Sequence, residues 1–165
     1  MTTKLPLMES AVKALIDYFT ANMSAKLTAI TTDKGDALSL GTVKVYYDAE
    51  QGDVPEYPAI FVLGETTDIP EEGTGWVRGQ NHISVVALLT DQDASKLKKK
   101  CYRYSRAITE LVKEAWEGRA SNGFLYVTAI EGLAYSPIMT QKGQGAISDV
   151  TVRVMLEKVE EAAYP

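Results

Sequence analysis

The sequence of 165 residues has little of the chemistry on which many enzymes depend, since it holds one cysteine and one histidine. With Cys101 as the sole thiol, an internal disulfide and a zinc site built from cysteines are both excluded, which favours a reducing cytoplasm. A catalytic pair of serine or cysteine with histidine would have to use His82. No Gly-x-Ser-x-Gly elbow occurs, so the sequence presents no catalytic constellation.

Long apolar runs and an excess of basic residues are also missing. No stretch approaches the roughly 20 apolar residues that a membrane-spanning helix needs. Glu9, Lys13 and Asp17 interrupt the apolar residues near the start, so we expect no signal peptide. The net charge of −5 argues against tight binding to a phosphate backbone, which needs clustered lysine and arginine. Residues 1–165 are most simply one domain with a core of its own.

Two segments have the periodicity of amphipathic helices. Residues 6–31 place apolar side chains at spacings of three and four, and Asp33 to Gly35 supply a stop. A second helix follows Thr90–Asp93, where Asp93 takes the glutamate position of a capping box, and it ends near Gly118. Its apolar face has strict 4-3-4-3-4 spacing and consists of Leu97, Cys101, Tyr104, Ile108, Leu111 and Ala115.

The order of elements predicts an α+β fold. The acidic, glycine-rich stretch Gly64–Gly79 predicts a long connection, Gly132 interrupts a strand, and Lys142–Gly145 forms a turn. The resulting order, α-β-β-β-α-β-β, favours an antiparallel or mixed sheet of about four to five strands. Two long helices would cover one face, leaving the other free to meet a neighbour. The predicted strands are 43–48, 59–63, 82–89, 124–131 and 147–159.

Two clusters of charge are candidate ligand sites, and each has a simpler explanation. One set of carboxylates could gather around Mg²⁺ or Ca²⁺, but its spacing matches no EF-hand loop, and a solvated acidic loop is simpler. A basic run could contact nucleic acid, but a solvated helix face is simpler. The acidic set is Glu65, Asp68, Glu71 and Glu72. The basic set is Lys96, Lys98, Lys99, Lys100, Arg103 and Arg106.

The remaining candidates favour structural or binding roles. His82 is isolated in the sequence and lacks the orienting partners that catalysis needs. Cys101 lies on the apolar face of the second helix, where cysteine behaves as a small hydrophobe. Trp76 beside Arg78 is typical of interface hot spots, although local packing would explain the pair equally well. We expect an interface to include Trp76, Arg78, Glu71, Glu72 and Lys142.

With these elements in order, the chain resembles the tail-terminator, or tail-completion, proteins of long-tailed bacteriophages and prophages. The resemblance spans most of the chain. It is carried by an N-terminal helix, a Tyr-Pro-Ala strand with the loop that follows it, the next strand, and a helix with an Arg-Tyr-x-x-Ala-Ile pattern. These are Ala11–Ile30, Tyr57–Val62 with the loop to Gly79, His82–Leu89, and Arg103–Ile108.

The resemblance implies a structural role without a reaction, a cofactor or catalytic residues. Such proteins assemble as a ring, usually of six, which caps the tail tube in the virion and provides the surface that joins the head. The implied partners are copies of the chain, the tube protein and a head–tail connector, with DNA only passing through. A ring needs head-to-tail contacts that close, and an acidic lumen would repel phosphates.

Two alternatives stay open at this point. A head–tail connector or other neck protein could have a similar fold and would differ only in its partner. A small metal-dependent hydrolase belongs to another class, and it would combine His82 with the acidic loop that carries Glu71.

Overall fold

Two long helices and one mixed sheet make up the fold of the computed structural model, which describes residues 8–69, 79–141 and 145–158. The predicted α+β class is confirmed, although the described residues form six strands rather than four to five. In chain order the elements are α1 (Met8–Lys34), β1 (Val45–Tyr47), β2 (Ala59–Asp68), β3 (Gln80–Asp91), α2 (Ala94–Glu117), α3 (Arg119–Asn122), β4 (Tyr126–Tyr135), β5 (Met139–Gln141) and β6 (Gly145–Lys158).

The sheet has the strand order β1-β2-β3-β6-β4, and β5 pairs with β6 beside β4. β1 and β2 run parallel, whereas every other pair among the described residues is antiparallel. β6 is the longest described strand, with 14 residues, and β3 pairs with it along the full length of β3. β1 and β4 therefore form opposite edges of one sheet.

The apolar face of α2 is the one that its spacing predicts, and all six of its residues are buried in the core. The beginning of the helix differs from the prediction. Asp93 is the N-cap residue itself, because its carboxylate accepts hydrogen bonds from the amides of Ser95 (2.8 Å) and Lys96 (3.2 Å). Asp91 Oδ1 in turn accepts from the Asp93 amide at 2.8 Å. The helix ends at Gly118, as predicted.

The prediction for α1 is also confirmed, with a helix that continues to Lys34. Seven of its side chains are buried, and most of them recur at spacings of three or four residues. Lys26 links the two long helices through ion pairs with Glu110 (3.4 Å) and Glu114 on α2. Among the described residues, no helix combines the length and the apolar character needed to cross a membrane.

The core lies between the two long helices and one face of the sheet. On β6 the residues Val150, Val152, Val154 and Leu156 are fully buried against the helices, whereas Thr151 and Met155 on the other face are half-buried and Arg153 is exposed. Within the described ranges no helix packs on this second face, which is called the open face below. This arrangement agrees with the alternation predicted for the last strand.

Two strands are longer than predicted because they continue through glycine at a β-bulge. The expected long connection from Gly64 is wrong for its first part, since β2 extends to Asp68 beyond a register shift between Gly64 and Thr66. A Cβ atom at Gly64 would lie 2.4 Å from Met8 Cγ, so a side chain there would force Met8 of α1 to move. Likewise Gly132 does not end its strand: β4 passes a shift between Ile130 and Gly132 and reaches Tyr135.

Candidate interaction surfaces

The five residues predicted for an interface all lie outside the described residues. Glu71, Glu72, Trp76 and Arg78 belong to the stretch between Ile69 and Gly79, and Lys142 follows β5. Their assignment therefore stays a prediction from the sequence. The described surface offers other candidates, which follow from the sheet itself.

The outer edge of β4 presents a group of exposed apolar and aromatic side chains. β4 pairs with β6 on one side, and no described strand pairs with its other side. Leu133 and Tyr135 are 46% and 43% exposed, although their register partners Val152 and Val150 are fully buried. Tyr102 of α2 is 53% exposed, and its ring meets that of Tyr135 edge-on with the centroids 5.2 Å apart. We call Tyr102, Leu133 and Tyr135 the β4-edge patch.

The orientation of Tyr135 is determined by a hydrogen bond as well as by this ring contact. Its hydroxyl lies 2.9 Å from Ser105 Oγ on α2, and Ser105 Oγ also donates to the carbonyl of Tyr102 at 2.8 Å. Tyr135 is thus held in one arrangement by α2. An aromatic anchor that is ordered before binding loses less conformational entropy in an interface.

The opposite edge of the sheet has a different character. β1 pairs only with Ala59–Phe61, so the outer side of β2 from Val62 to Asp68 has no described partner strand. Beside it runs a groove of about 660 Å³ between α1 and β1. Its apolar lining includes Val12, Ile16 and Tyr47. A second unpaired edge therefore lies at the far end of the sheet from β4.

On the open face, His82 lies between two carboxylates. His82 Nε2 lies 2.9 Å from Asp68 Oδ2 on β2, and His82 Nδ1 lies 2.8 Å from Glu131 Oε1 on β4. The expectation that His82 lacks orienting partners is therefore wrong. The hydrogen bond that Glu131 accepts from His82, opposed by partial burial and aided by Asp68, raises the pKa of His82 above its usual value. The imidazole is thus held between two carboxylates.

The acidic residues predicted as a candidate ion site are not gathered in a described loop. Glu65 sits at the β2 bulge and accepts a hydrogen bond from Ser84 Oγ, while Asp68 is engaged with His82. Glu71 and Glu72 lie outside the described residues. Within the described ranges no group of three or more His, Cys, Asp or Glu side chains could hold a metal ion. Both described carboxylates are thus engaged with side chains of the neighbouring strand β3.

Three of the six residues of the basic run on α2, namely Lys100, Arg103 and Arg106, form ion pairs within the chain. Lys100 pairs with Asp91 at 2.7 Å, and Lys98 Nζ donates to the carbonyl of Ser136 at 2.6 Å. Arg106 binds both Asp33 (2.8 Å) and Glu110 (2.7 Å). Arg103, predicted to face solvent, is instead buried by the segment after α1 and forms a two-point ion pair with Asp36. Cations engaged in this way are poorly placed to attract a phosphate backbone.

Cys101 behaves as predicted. Its side chain is fully buried in the core, and burial raises the pKa of the thiol. Because the nucleophilic form of cysteine is the thiolate, this position is unreactive in the folded chain.

Two features escaped the sequence analysis because both depend on bulges. The pairing of His82 with Glu131 crosses β6 and depends on the register shift at Gly132, which no local pattern indicates. The β4-edge patch was partly visible, since Leu133 and Tyr135 alternate beyond that glycine. If Gly132 is interpreted as a bulge rather than as an interruption, Leu133 and Tyr135 fall on one side of a longer strand.

Comparisons with known proteins identify little. No protein-family model matches the chain, and no curated protein matches it. Among solved structures, the chain is similar to a chain from the virion of a native gene transfer agent particle, with 11% identity and a TM-score of 0.35. The match covers 76% of this chain and 88% of the other. It is a partial likeness of fold.

Proposed function

We propose that this chain is a structural virion protein that caps a phage-type tail tube as a ring of identical subunits. In this role it binds its own copies side by side, the tube protein on one face of the ring and a head–tail connector on the other. The proposal is supported by the sequence resemblance and by the α+β fold that it implies. The observation that carries it is the β4-edge patch, an ordered apolar surface on an unpaired strand.

Uncharged side chains on this edge favour contact with another chain. Proteins usually protect an exposed edge strand with charges, proline or a covering element, because its free backbone groups invite pairing. Residues Leu133–Tyr135 have no charged side chain, and no described strand covers their outer edge. Tyrosine and leucine at such a position bring apolar area to an interface, and the tyrosine hydroxyl keeps a polar partner.

The directions of the strands suit a contact that repeats. β2 runs opposite to β3, β3 opposite to β6, and β6 opposite to β4, so β4 runs opposite to β2 and to its parallel neighbour β1. The β4 edge of one chain can thus meet the β1–β2 edge of the next in antiparallel fashion without either chain turning over. A contact between two different patches is heterologous, and it forms a ring when its rotation closes.

A single substitution on the edge tests this function. Leu133→Asp places a charge in the centre of the proposed contact, and we expect it to reduce the assembled wild-type species to monomer. Size-exclusion chromatography with light scattering measures the change, over a range of protein concentrations and with tube protein added. Leu125→Asp is the matched control, because Leu125 is 53% exposed just before the opposite end of β4.

The outcomes separate the proposal from its rivals. The control variant is expected to assemble like the wild type, and both variants are expected to unfold at nearly the wild-type temperature. A wild-type chain that stays monomeric even with tube protein present contradicts the proposal. Negative-stain images then locate the ring, since rings on the ends of tail tubes support a terminator and rings on portal-bearing heads support a neck protein.

A further inference from the structure

The only histidine of the chain, His82 on β3, contacts side chains of both β2 and β4, which are not neighbours in the sheet. β3 and β4 are separated by β6, whose Met155 is the register partner of both His82 and Ala129. Glu131 reaches across β6 because it sits at the bulge of β4, and Asp68 approaches from the end of β2 beyond the other bulge. His82 therefore connects both bulged strands on the open face.

The hydrogen-bond geometry requires the charged form of the ring. Ionised carboxylates only accept hydrogen bonds, and neutral imidazole has one N–H to donate. Both ring nitrogens of His82 lie within 2.9 Å of a carboxylate oxygen, so both contacts are hydrogen bonds to ionised carboxylates only when both nitrogens carry a proton. Removing one proton leaves a nitrogen lone pair facing a carboxylate, which is repulsive, and one of the two contacts is lost.

The surrounding charges also favour a cation. On β2 the open face carries Glu65 and Asp68, and on β4 it carries Glu131. On β6 it carries Arg153 and Glu157, which are two residues either side of Met155, and Gln80 Nε2 on β3 donates to Glu157 at 3.1 Å. Among the described residues of the open face, carboxylates thus outnumber the one arginine near the imidazole.

We propose that His82 is a proton-controlled tie that holds the bulge of edge strand β4 against the end of β2, and that loss of its proton loosens β4. The raised pKa of His82 gives the direction of the effect. A group whose pKa is raised on folding stabilises the folded chain fully below its ordinary value, about 6.5, and this contribution is lost as pH rises through the folded pKa. The tie lies within one chain, so it does not depend on the proposed ring.

Nuclear magnetic resonance can follow this group without ambiguity, because the sequence holds no other histidine. We expect long-range ¹H–¹⁵N spectra of the full chain to show both ring nitrogens protonated below a midpoint that is higher than the ordinary value. Glu131→Gln removes one carboxylate charge and is expected to lower the proton affinity about tenfold, moving the midpoint down by about one pH unit. Glu65→Gln is the control, since Glu65 bonds Ser84 instead of the imidazole.

Amide hydrogen exchange distinguishes a histidine that stabilises β4 from one whose protonation has no effect on β4. After correction for the intrinsic effect of pH on exchange, the amides of residues 130–133 are expected to exchange faster above the midpoint than below it. In His82→Gln they are expected to exchange fast at every pH. A wild-type midpoint at or below the ordinary value would overturn the proposal. So would pH-independent exchange in β4, or an equal shift of the midpoint in Glu65→Gln.

Discussion

At the scale of single residues, burial rather than charge separates side chains that look alike in the sequence. Arg103 and Arg106 are three residues apart on α2; Arg106 pairs with Asp33 in the last turn of α1, and Arg103 pairs with Asp36 just beyond its end. The side chain of Arg103 is 8% exposed, whereas that of Arg106 is 39% exposed. An ion pair at an exposed site contributes little to stability, whereas removing a buried arginine also removes the packing of its stem.

This difference predicts unequal effects of the same substitution. Arg103→Ala removes buried packing and leaves Asp36 unpaired, so we expect it to lower the urea midpoint clearly more than Arg106→Ala at neutral pH. The hydrogen bond from Arg103 holds the pKa of Asp36 below its usual range. That contribution is present above the ordinary carboxyl pKa and is lost as pH falls through the lowered value. The difference in urea midpoint between Arg103→Ala and the wild type is therefore expected to become smaller at acid pH. Equal urea midpoints for Arg103→Ala and Arg106→Ala at neutral pH would contradict the prediction.

At the scale of elements, periodicity was sufficient for those whose residues interact locally. The 4-3-4-3-4 spacing of α2 and the alternation of β6 both correspond to the buried sets in the structure. Strand ends at glycine were not predictable in the same way. Gly64 and Gly132 read as breaks, but tertiary contacts carry β2 and β4 past them. The packing of Met8 against Gly64 is an example, because the two residues are far apart in sequence.

Two glycines in the sheet provide a test of this distinction. Gly145 begins β6 with φ of 76°, and a Cβ there would lie 2.9 Å from the carbonyl oxygen of Asp91. Gly145→Ala is expected to destabilise the chain by about 1–2 kcal/mol, the cost of a left-handed conformation for a residue with a side chain. Gly132→Ala, whose Cβ meets nothing within 4 Å, is expected to leave the free energy of unfolding nearly unchanged. Urea denaturation compares the two, and similar losses would show that Gly132 is also constrained.

At the scale of the whole molecule, the sequence predicted the layers of the fold better than its functional surfaces. The α+β class, the shared helix face and the open face followed from patterns along the chain. The partners of His82 and the β4-edge patch did not, because they arise where strands distant in sequence meet. The interface predicted around Trp76 lies outside the described residues, so the candidate surface rests on β4 instead.

The position of the two unpaired edges at opposite ends of one sheet has a consequence for mixtures. In the proposed assembly a Leu133→Asp chain keeps a sound β1–β2 edge, so it can join a growing arc and then stop the next subunit from adding. One such chain in an arc blocks closure even when the other subunits are wild type. The number of closed rings is therefore expected to fall as a steep power of the wild-type fraction. Counting closed rings in micrographs of defined mixtures measures this, with Leu125→Asp as the harmless admixture. A number of closed rings that falls only in proportion to the fraction of variant chain would indicate a symmetric contact, because a variant that cannot form such a contact is not incorporated.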